Sequence, residues 1–222
     1  MTITPIARVR TCFDEKFAVP RQPGLCPSAW GELRFEPGYG SADAVRGLEG
    51  FSHVWLLFGF HLTAERGWSP TVRPPRLGGN ERVGVYASRS THRPNSLGLS
   101  LVALEGIEWE ESQPWLRLGG VDLVSGTQIY DVKPYIPFVE ALPDARGGYA
   151  QEEPVRWEVV GTEHLADWSP RDRAVVMEAL SLDPRPPAGR LEEDRIHGAG
   201  LCGRNVRFRV AAGKVEIVGV DE

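Results

Sequence analysis

The sequence predicts a mainly β fold, a barrel or a sandwich, followed by a small α+β unit. Three observations carry this. Short stretches rich in Val, Leu and aromatics recur up to about residue 150, bounded by Gly and Pro. No long helical pattern separates them, which disfavours a parallel α/β sheet. Beyond residue 150 the texture changes to one helix signal followed by an alternating pair of segments.

The strand-like stretches are "IARVRTCF" (6–13), "WGELRFE" (30–36), "SHVWLLFGFH" (52–61) and "RVGVYAS" (82–88). They continue with "LGLSLVALEGIEWE" (97–110), "PWLRLGGVDLV" (114–124) and "TQIYDVKPY" (127–135). "SADAVRGLEGF" reads as a short helix with Ser41 as its N-cap. "GGYAQEEP" reads as a joint, dividing the chain into domains 1–150 and 151–222. In the second, Ser169 is an N-cap and Pro170 takes the first helical position. Val175, Val176 and Leu180 form the helix's apolar stripe, and Pro184 stops it. "NVRFRVAAGKVEIVGV" alternates around "AAGK", a hairpin signal.

Composition narrows the function classes. The chain has 222 residues, 41% of them hydrophobic, and a formal charge of −5. Residues 1–150 carry 15 basic and 16 acidic groups, and residues 151–222 carry 10 and 14. Net charge therefore does not announce nucleic-acid binding, and local density has to be examined instead. Three scattered cysteines have neither metal-finger nor redox spacing, so reduced thiols are expected. The opening "MTITPIARVR" lacks a signal peptide's apolar core, and the run "VWLLFGF" is too short to span a bilayer. A cytoplasmic protein without membrane contact is expected.

Some motifs mislead. "GAGLCG" (198–203) matches G-x-G-x-x-G, but the strand-like "NVRFRV" follows it where a helix is needed. A flexible loop is expected there. "RLGGN" lacks the Lys-Ser/Thr of a phosphate-binding loop. His53 and His61 would share one face of a strand with Trp55, Leu57 and Gly59. They read as sheet-end histidines, with His61 bordering a pocket as the alternative, and no H-E-x-x-H or C-x-x-C accompanies them, so no metal is expected.

Other motifs point to an anionic ligand. "FAVPRQPGLCP" (17–27) holds Arg21 and Gln22 between two prolines, a stiff placement for hydrogen-bond donors. "RPPRLGGNERVGVYASRSTHRPNSLGLS" (73–100) carries five arginines and one acid on backbone punctuated by Gly and Pro. Ordering an arginine costs roughly 2 kcal/mol of rotamer entropy, and a stiff loop adds no backbone ordering to that cost. "DVKPY" puts Asp131, Lys133 and Tyr135 on one strand face, as either a salt-bridged edge or a site. "VDLVSGT" ends a strand in a glycine turn beside Asp122.

Taken together, "EKFAVPRQPGL", "VRGLEGFSHVWLLFGFH", "PTVRPPRLGGN", "GVYASRSTHRPNSLGLS" and "DLVSGTQIYDVKPYIPF" resemble the TsaA-like (TrmO) family over most of residues 5–150. "DPRP" followed by "NVRFRV" resembles the C-terminal part of its bacterial members. The resemblance implies a β-barrel that uses S-adenosylmethionine to methylate N6 of threonylcarbamoyl-adenosine (t6A) at position 37 of tRNA. It implies methyl-donor contacts from Pro20, Arg21 and Gln22, from His61, Leu62, Arg89 and Leu99, and from Asp122, Leu123, Val124 and Ser125. Asp131, Lys133, Tyr135 and His92 are the candidates for substrate contact or for a general base. A homodimer with the site near the interface is implied as well. The alternative is a non-catalytic nucleotide- or RNA-binding barrel that keeps the pocket. The chain departs from the family pattern at Ser125, where Asp is frequent, and in "RPNSLG" for "RPNPIG", which is expected to loosen the turn at Ser96.

Overall fold

The computed structural model describes residues 2–186 and 195–221. Six antiparallel strands close into a barrel. In chain order they are β1 (Ala7–Thr11), β2 (Trp30–Phe35), β3 (His53–Gly59), β6 (Leu97–Glu110), β7 (Gln113–Gly119) and β8 (Thr127–Pro134). Their order around the barrel is β1-β2-β7-β6-β3-β8, with β8 returning to β1. Closure leaves these strands no unpaired edge. A two-stranded ribbon, β4 (Thr71–Val72) with β5 (Val83–Gly84), stands outside it. Two single-turn helices, α1 (Ala42–Val45) and α2 (Pro137–Glu140), lie in the connections. The Ser41 hydroxyl caps α1 by accepting from the Ala44 N–H.

Alternation explains the barrel. Val9, Leu33, Val54, Leu56, Val102, Leu116, Leu118 and Ile129 point inward, each no more than 1% exposed. Burying such a side chain stabilises by about 1.5–3 kcal/mol. The outward positions of β1, β2 and β7 carry cross-strand ion pairs, Arg8–Glu36, Arg10–Glu32, Arg34–Glu110 and Arg117–Glu108. At this exposure such pairs add little stability.

The rest of the chain builds a four-stranded sheet in the order β10-β11-β12-β9. Its members are β9 (Glu158–Val160), β10 (His197–Leu201), β11 (Arg204–Ala211) and β12 (Lys214–Asp221). Helix α3 (Pro170–Ser181) begins at the Ser169 cap, with Pro170 in its first turn, as the sequence predicts. It touches both neighbours. Trp30 Nε1 donates to Asp172 at 2.9 Å and Ser28 binds Glu178 on the barrel side. Trp157 N–H donates to the Ser181 carbonyl at 2.7 Å on the sheet side. Buried Val175, Val176, Ala179 and Leu180 join one apolar cluster that also holds Phe13, Cys26, Leu201 and Phe208.

Three readings of the sequence are corrected. "GAGLCG" is ordered: it forms β10 and its turn into β11, with Cys202 and Gly203 both at positive φ, 53° and 80°. Two left-handed residues match the twist of a tight hairpin. Its N–H groups do meet anions, but these belong to the barrel: Gly200 donates to Glu15 and Gly203 to Asp14, each at 2.9 Å. "RVGVYAS" gives a two-residue strand and then a 3₁₀ turn, Val85–Ala87, because Gly84 and the Ser88 hydroxyl bond to Val85 O break the ladder. "PWLRLGGVDLV" leaves the sheet after Gly119, since Gly120 adopts φ 65° and turns the chain into an irregular segment.

The cysteines, scattered in sequence, gather where barrel and sheet meet. Cys202 N–H donates to Cys12 O at 2.8 Å, and the buried Cys26 thiol donates to Val175 O at 3.7 Å. Burial pushes the Cys26 thiol well above the usual thiol range. All three are free.

Candidate functional site

Three of the segments singled out in the sequence, 17–27, 73–100 and 121–127, meet where β3 ends and β6 begins. Residues 18–29 form a turning loop between β1 and β2. Gly24 N–H donates to Gly120 O at 2.9 Å, and Val121 N–H donates to Ala29 O at 3.3 Å. These bonds lay the loop against the irregular segment after β7. A side chain at Gly120 would meet the Gly24 backbone at 3.4 Å, on a backbone whose positive φ already favours glycine.

Within that contact, the Gln22 amide oxygen accepts from Arg89 Nη1. Arg89 attracts the Asp122 carboxylate electrostatically. Asp122 Oδ1 accepts from the Ser100 hydroxyl at 2.7 Å. One connected set therefore spans three stretches far apart in sequence: the loop after β1, the arginine-rich segment where it runs into β6, and the segment after β7. Burial pushes the Asp122 carboxyl up to about 6, while the Ser100 hydrogen bond, a hydrogen bond from the Asp122 backbone N–H and the charge of Arg89 act in the opposite direction.

Other candidates take different places. Pro20 is buried and Arg21 is exposed beside Gln22. His61 and Leu62 sit on the exposed turn after β3, which Phe60 N–H ties to Ser96 O at 2.8 Å. Leu99 is 53% exposed and lies on the outer face of β6, opposite the inward Ser100. The backbone of 123–125 is committed to the fold. Leu123 O accepts from Thr11 Oγ1 at 2.8 Å, and Val124 O accepts from Thr127 Oγ1 at 2.6 Å.

The "DVKPY" residues lie on the barrel's outside. Asp131 pairs with Leu57 in register, and Leu57 pairs with Leu99, so these three form one row across β8, β3 and β6. Strand spacing puts the ends of that row about 10 Å apart. Lys133 reaches Asp131 at 3.7 Å and faces Trp55. Tyr135 meets the rings of Trp55 and His53 edge-on, at 6.4 Å each. His92 turns toward the 67–69 segment, its Nδ1 3.4 Å from Gly67 O.

The cations of the arginine-rich segment differ from those elsewhere. Most arginines on the barrel strands and C-terminal sheet pair with carboxylates. Arg66, Arg73, Arg76, Arg82, Arg89 and Arg93 form no ion pair among the described residues. Arg93 instead braces its own loop, donating to Val85 O at 3.2 Å and Ser88 O at 2.8 Å. Among the described residues no His, Cys, Asp and Glu side chains are grouped to hold a metal ion.

Comparison with known proteins shows the family. The model of the tRNA-methyltransferase O (TrmO) N-terminal domain matches residues 8–141, and that of the TrmO C-terminal domain matches residues 153–222. The chain belongs to the TrmO family. A tRNA (adenine(37)-N6)-methyltransferase of Escherichia coli is 47% identical over 225 residues, covering 97% of this chain and 96% of the relative. A putative S-adenosylmethionine-dependent methyltransferase of Pseudomonas aeruginosa is 43% identical, covering 93% and 91%. A crystal structure of TrmO from Pseudomonas aeruginosa superposes with a TM-score of 0.81 at 35% identity, covering 100% of this chain and 98% of that one.

At the two departures from the TrmO pattern, the side chains have local roles. Ser125 Oγ accepts from the Thr11 N–H at 3.4 Å, and the Ser125 N–H donates to Phe13 O at 2.9 Å, so this residue pins its loop to the end of β1. Ser96 has φ 50° and donates its N–H to Arg93 O at 3.1 Å. Proline can adopt neither that angle nor that bond. The turn is thus held by hydrogen bonds rather than loosened. Reading the TrmO motifs alone also passed over Ser100 and Thr11, 2% and 3% exposed. Their signal was present: each is a hydroxyl at an inward position of a strand whose other inward residues are apolar.

Proposed function

We propose that this protein transfers a methyl group from S-adenosylmethionine to N6 of t6A at position 37 of tRNA. The observation that carries this is the Gln22–Arg89–Asp122–Ser100 set at one end of the barrel. It occurs in a chain related over nearly its whole length to a tRNA (adenine(37)-N6)-methyltransferase. The residues suit the donor. Guanidinium groups of Arg21 and Arg89 and the Gln22 amide complement a carboxylate, and Asp122 complements amino or hydroxyl donors. The exposed Leu62 adds apolar surface.

S-adenosylmethionine supplies an electrophilic methyl group on a sulfonium. The protein's share is to hold the acceptor nitrogen in line, at roughly 3–3.5 Å, and to keep water out. The carbamoyl group makes N6 a poor nucleophile with a more acidic proton, so a base among Asp131, Lys133, Tyr135 and His92 would assist. Lys133 or an arginine of the 73–93 stretch would receive the threonyl carboxylate. Arg66, Arg73 and Arg76, which have no ion-pair partner among the described residues, would meet tRNA phosphates, positioning without reading sequence. In this reading residues 1–150 carry the chemistry and 151–222 brace them, in the cytoplasm. No helix of the described residues is long and apolar enough to cross a membrane.

Incubation with methyl-labelled donor and tRNA carrying t6A37 is expected to label that nucleoside, and tRNA lacking the threonylcarbamoyl group is expected to stay unlabelled. Donor binding without any labelled tRNA would leave the non-catalytic barrel as the answer.

A homodimer is part of the proposal. Phe138, Val139 and Leu142, next to β8, are 90%, 60% and 70% exposed, more apolar surface than a free loop needs. Light scattering at micromolar concentration should give twice the chain mass, and Phe138→Glu should lower it. A monomeric parent protein would end this part of the proposal.

A further inference from the structure

We propose that Ser100 is a positioning residue for the methyl-donor site, holding the Asp122 carboxylate by Oδ1 and leaving Oδ2 as the acceptor for the ligand. The inference rests on the reading of Asp122 as a donor contact, and the observations behind it are geometric. Ser100 lies on the inward face of β6, 2% exposed, between Leu56 of β3, its partner in register, and Val102 two residues on. Every other requirement of that position is apolar. A hydroxyl there costs desolvation unless it finds a partner. Its side chain has one hydrogen bond among the described residues, to Asp122 at 2.7 Å.

Asp122 depends on Ser100 in turn. It follows Gly120 on an irregular segment that no strand ladder fixes. Its charged neighbour is Arg89, which acts on it electrostatically while hydrogen-bonding Gln22 instead. Ser100 is therefore the one side chain that both orients the carboxylate and donates to it. Because that bond favours the ionised form, Ser100 also keeps Asp122 an acceptor at neutral pH. The hydroxyl stands on a rigid strand with low rotamer freedom, which is what an orienting group requires.

The test uses the full chain and S-adenosylmethionine itself. The Asp122 carboxyl is titrated by carbon NMR in the ligand-free protein, and donor affinity is measured calorimetrically from pH 5 to pH 8.5. In the parent, the Asp122 midpoint is expected near 6. In Ser100→Ala it should rise, with affinity falling about threefold at pH 6.5 and staying nearly unchanged at pH 8.5. Ser100→Thr should keep the parent profile. A loss of packing alone would lower affinity equally at all pH values and leave the titration in place. Superimposable profiles for parent and Ser100→Ala, with Asp122→Asn still flattening the curve, would overturn the role of Ser100. Should Asp122→Asn leave binding unchanged at every pH, the donor-site reading fails first, and the Ser100 proposal goes with it.

Discussion

Asp122→Asn is expected to weaken methyl-donor binding about 10- to 100-fold at pH 8, the range set by losing a hydrogen bond to a charged acceptor. It is also expected to make the protein more stable at that pH. Both effects come from one carboxylate. Burial raises the Asp122 pKa to about 6 in the folded protein, above the unfolded range near 3.9. Between those values the folded state holds the extra proton. The stability associated with this group is therefore fully present below about pH 4, declines as pH rises through 6, and is flat above it. Asparagine carries no charge to desolvate, so the variant should gain about 1–3 kcal/mol over the parent at pH 8 and nothing below pH 4. Donor affinity of the parent should rise with pH through the same window, and that of the variant should not. Chemical denaturation and calorimetry at pH 4, 6 and 8 measure both. Equal donor affinity in parent and variant at pH 8 would remove Asp122 from the site.

The second large effect lies far from the site. Arg185→Met is expected to destabilise the protein by about 3–5 kcal/mol, which for a chain of this size lowers Tm by roughly 6–20 °C. Arg185 and Asp183 are 3% and 2% exposed, and Arg185 Nε meets Asp183 Oδ1 at 2.8 Å while Nη2 meets Oδ2 at 3.2 Å. Asp183 sits at φ 46° just past the end of α3, so its carboxylate is committed to that corner. Removing the guanidinium takes a two-point counter-charge away from a buried carboxylate. The double variant Asp183→Asn/Arg185→Met should recover much of the loss, because the carboxylate and its guanidinium partner are then removed together. Donor affinity measured well below the transition should not change in either. A Tm within 2 °C of the parent for Arg185→Met would show that the pair does not hold the corner.

These two sites differ in how far the sequence could reveal them. At the end of α3, Ser169, Pro170 and Pro184 mark the helix limits, since capping and proline sterics act within a few residues. The same text, "DPRP", says nothing of burial, so the Asp183–Arg185 pair emerges only when α3 is packed between barrel and sheet. "GAGLCG" shows the reverse error. Its glycines looked like slack, but Cys202 and Gly203 make a tight turn, and Gly200 and Gly203 donate to Glu15 and Asp14, residues almost two hundred positions away.

The sequence by itself determined most of the barrel's strands, the Ser41 and Ser169 caps, the final hairpin and, through its motifs, the kinship on which the functional reading depends. These signals are local: side-chain alternation, fixed proline angles and short hydrogen bonds repeat over a few residues, whatever lies elsewhere. Only the tertiary structure decided that the barrel closes with β8 on β1, that Ser100 reaches Asp122 and that Arg89 reaches Gln22. It also decided that Leu99 faces away from them. Such contacts depend on strand order and register, which are set by how the whole apolar face is buried at once, and no short stretch of sequence encodes that.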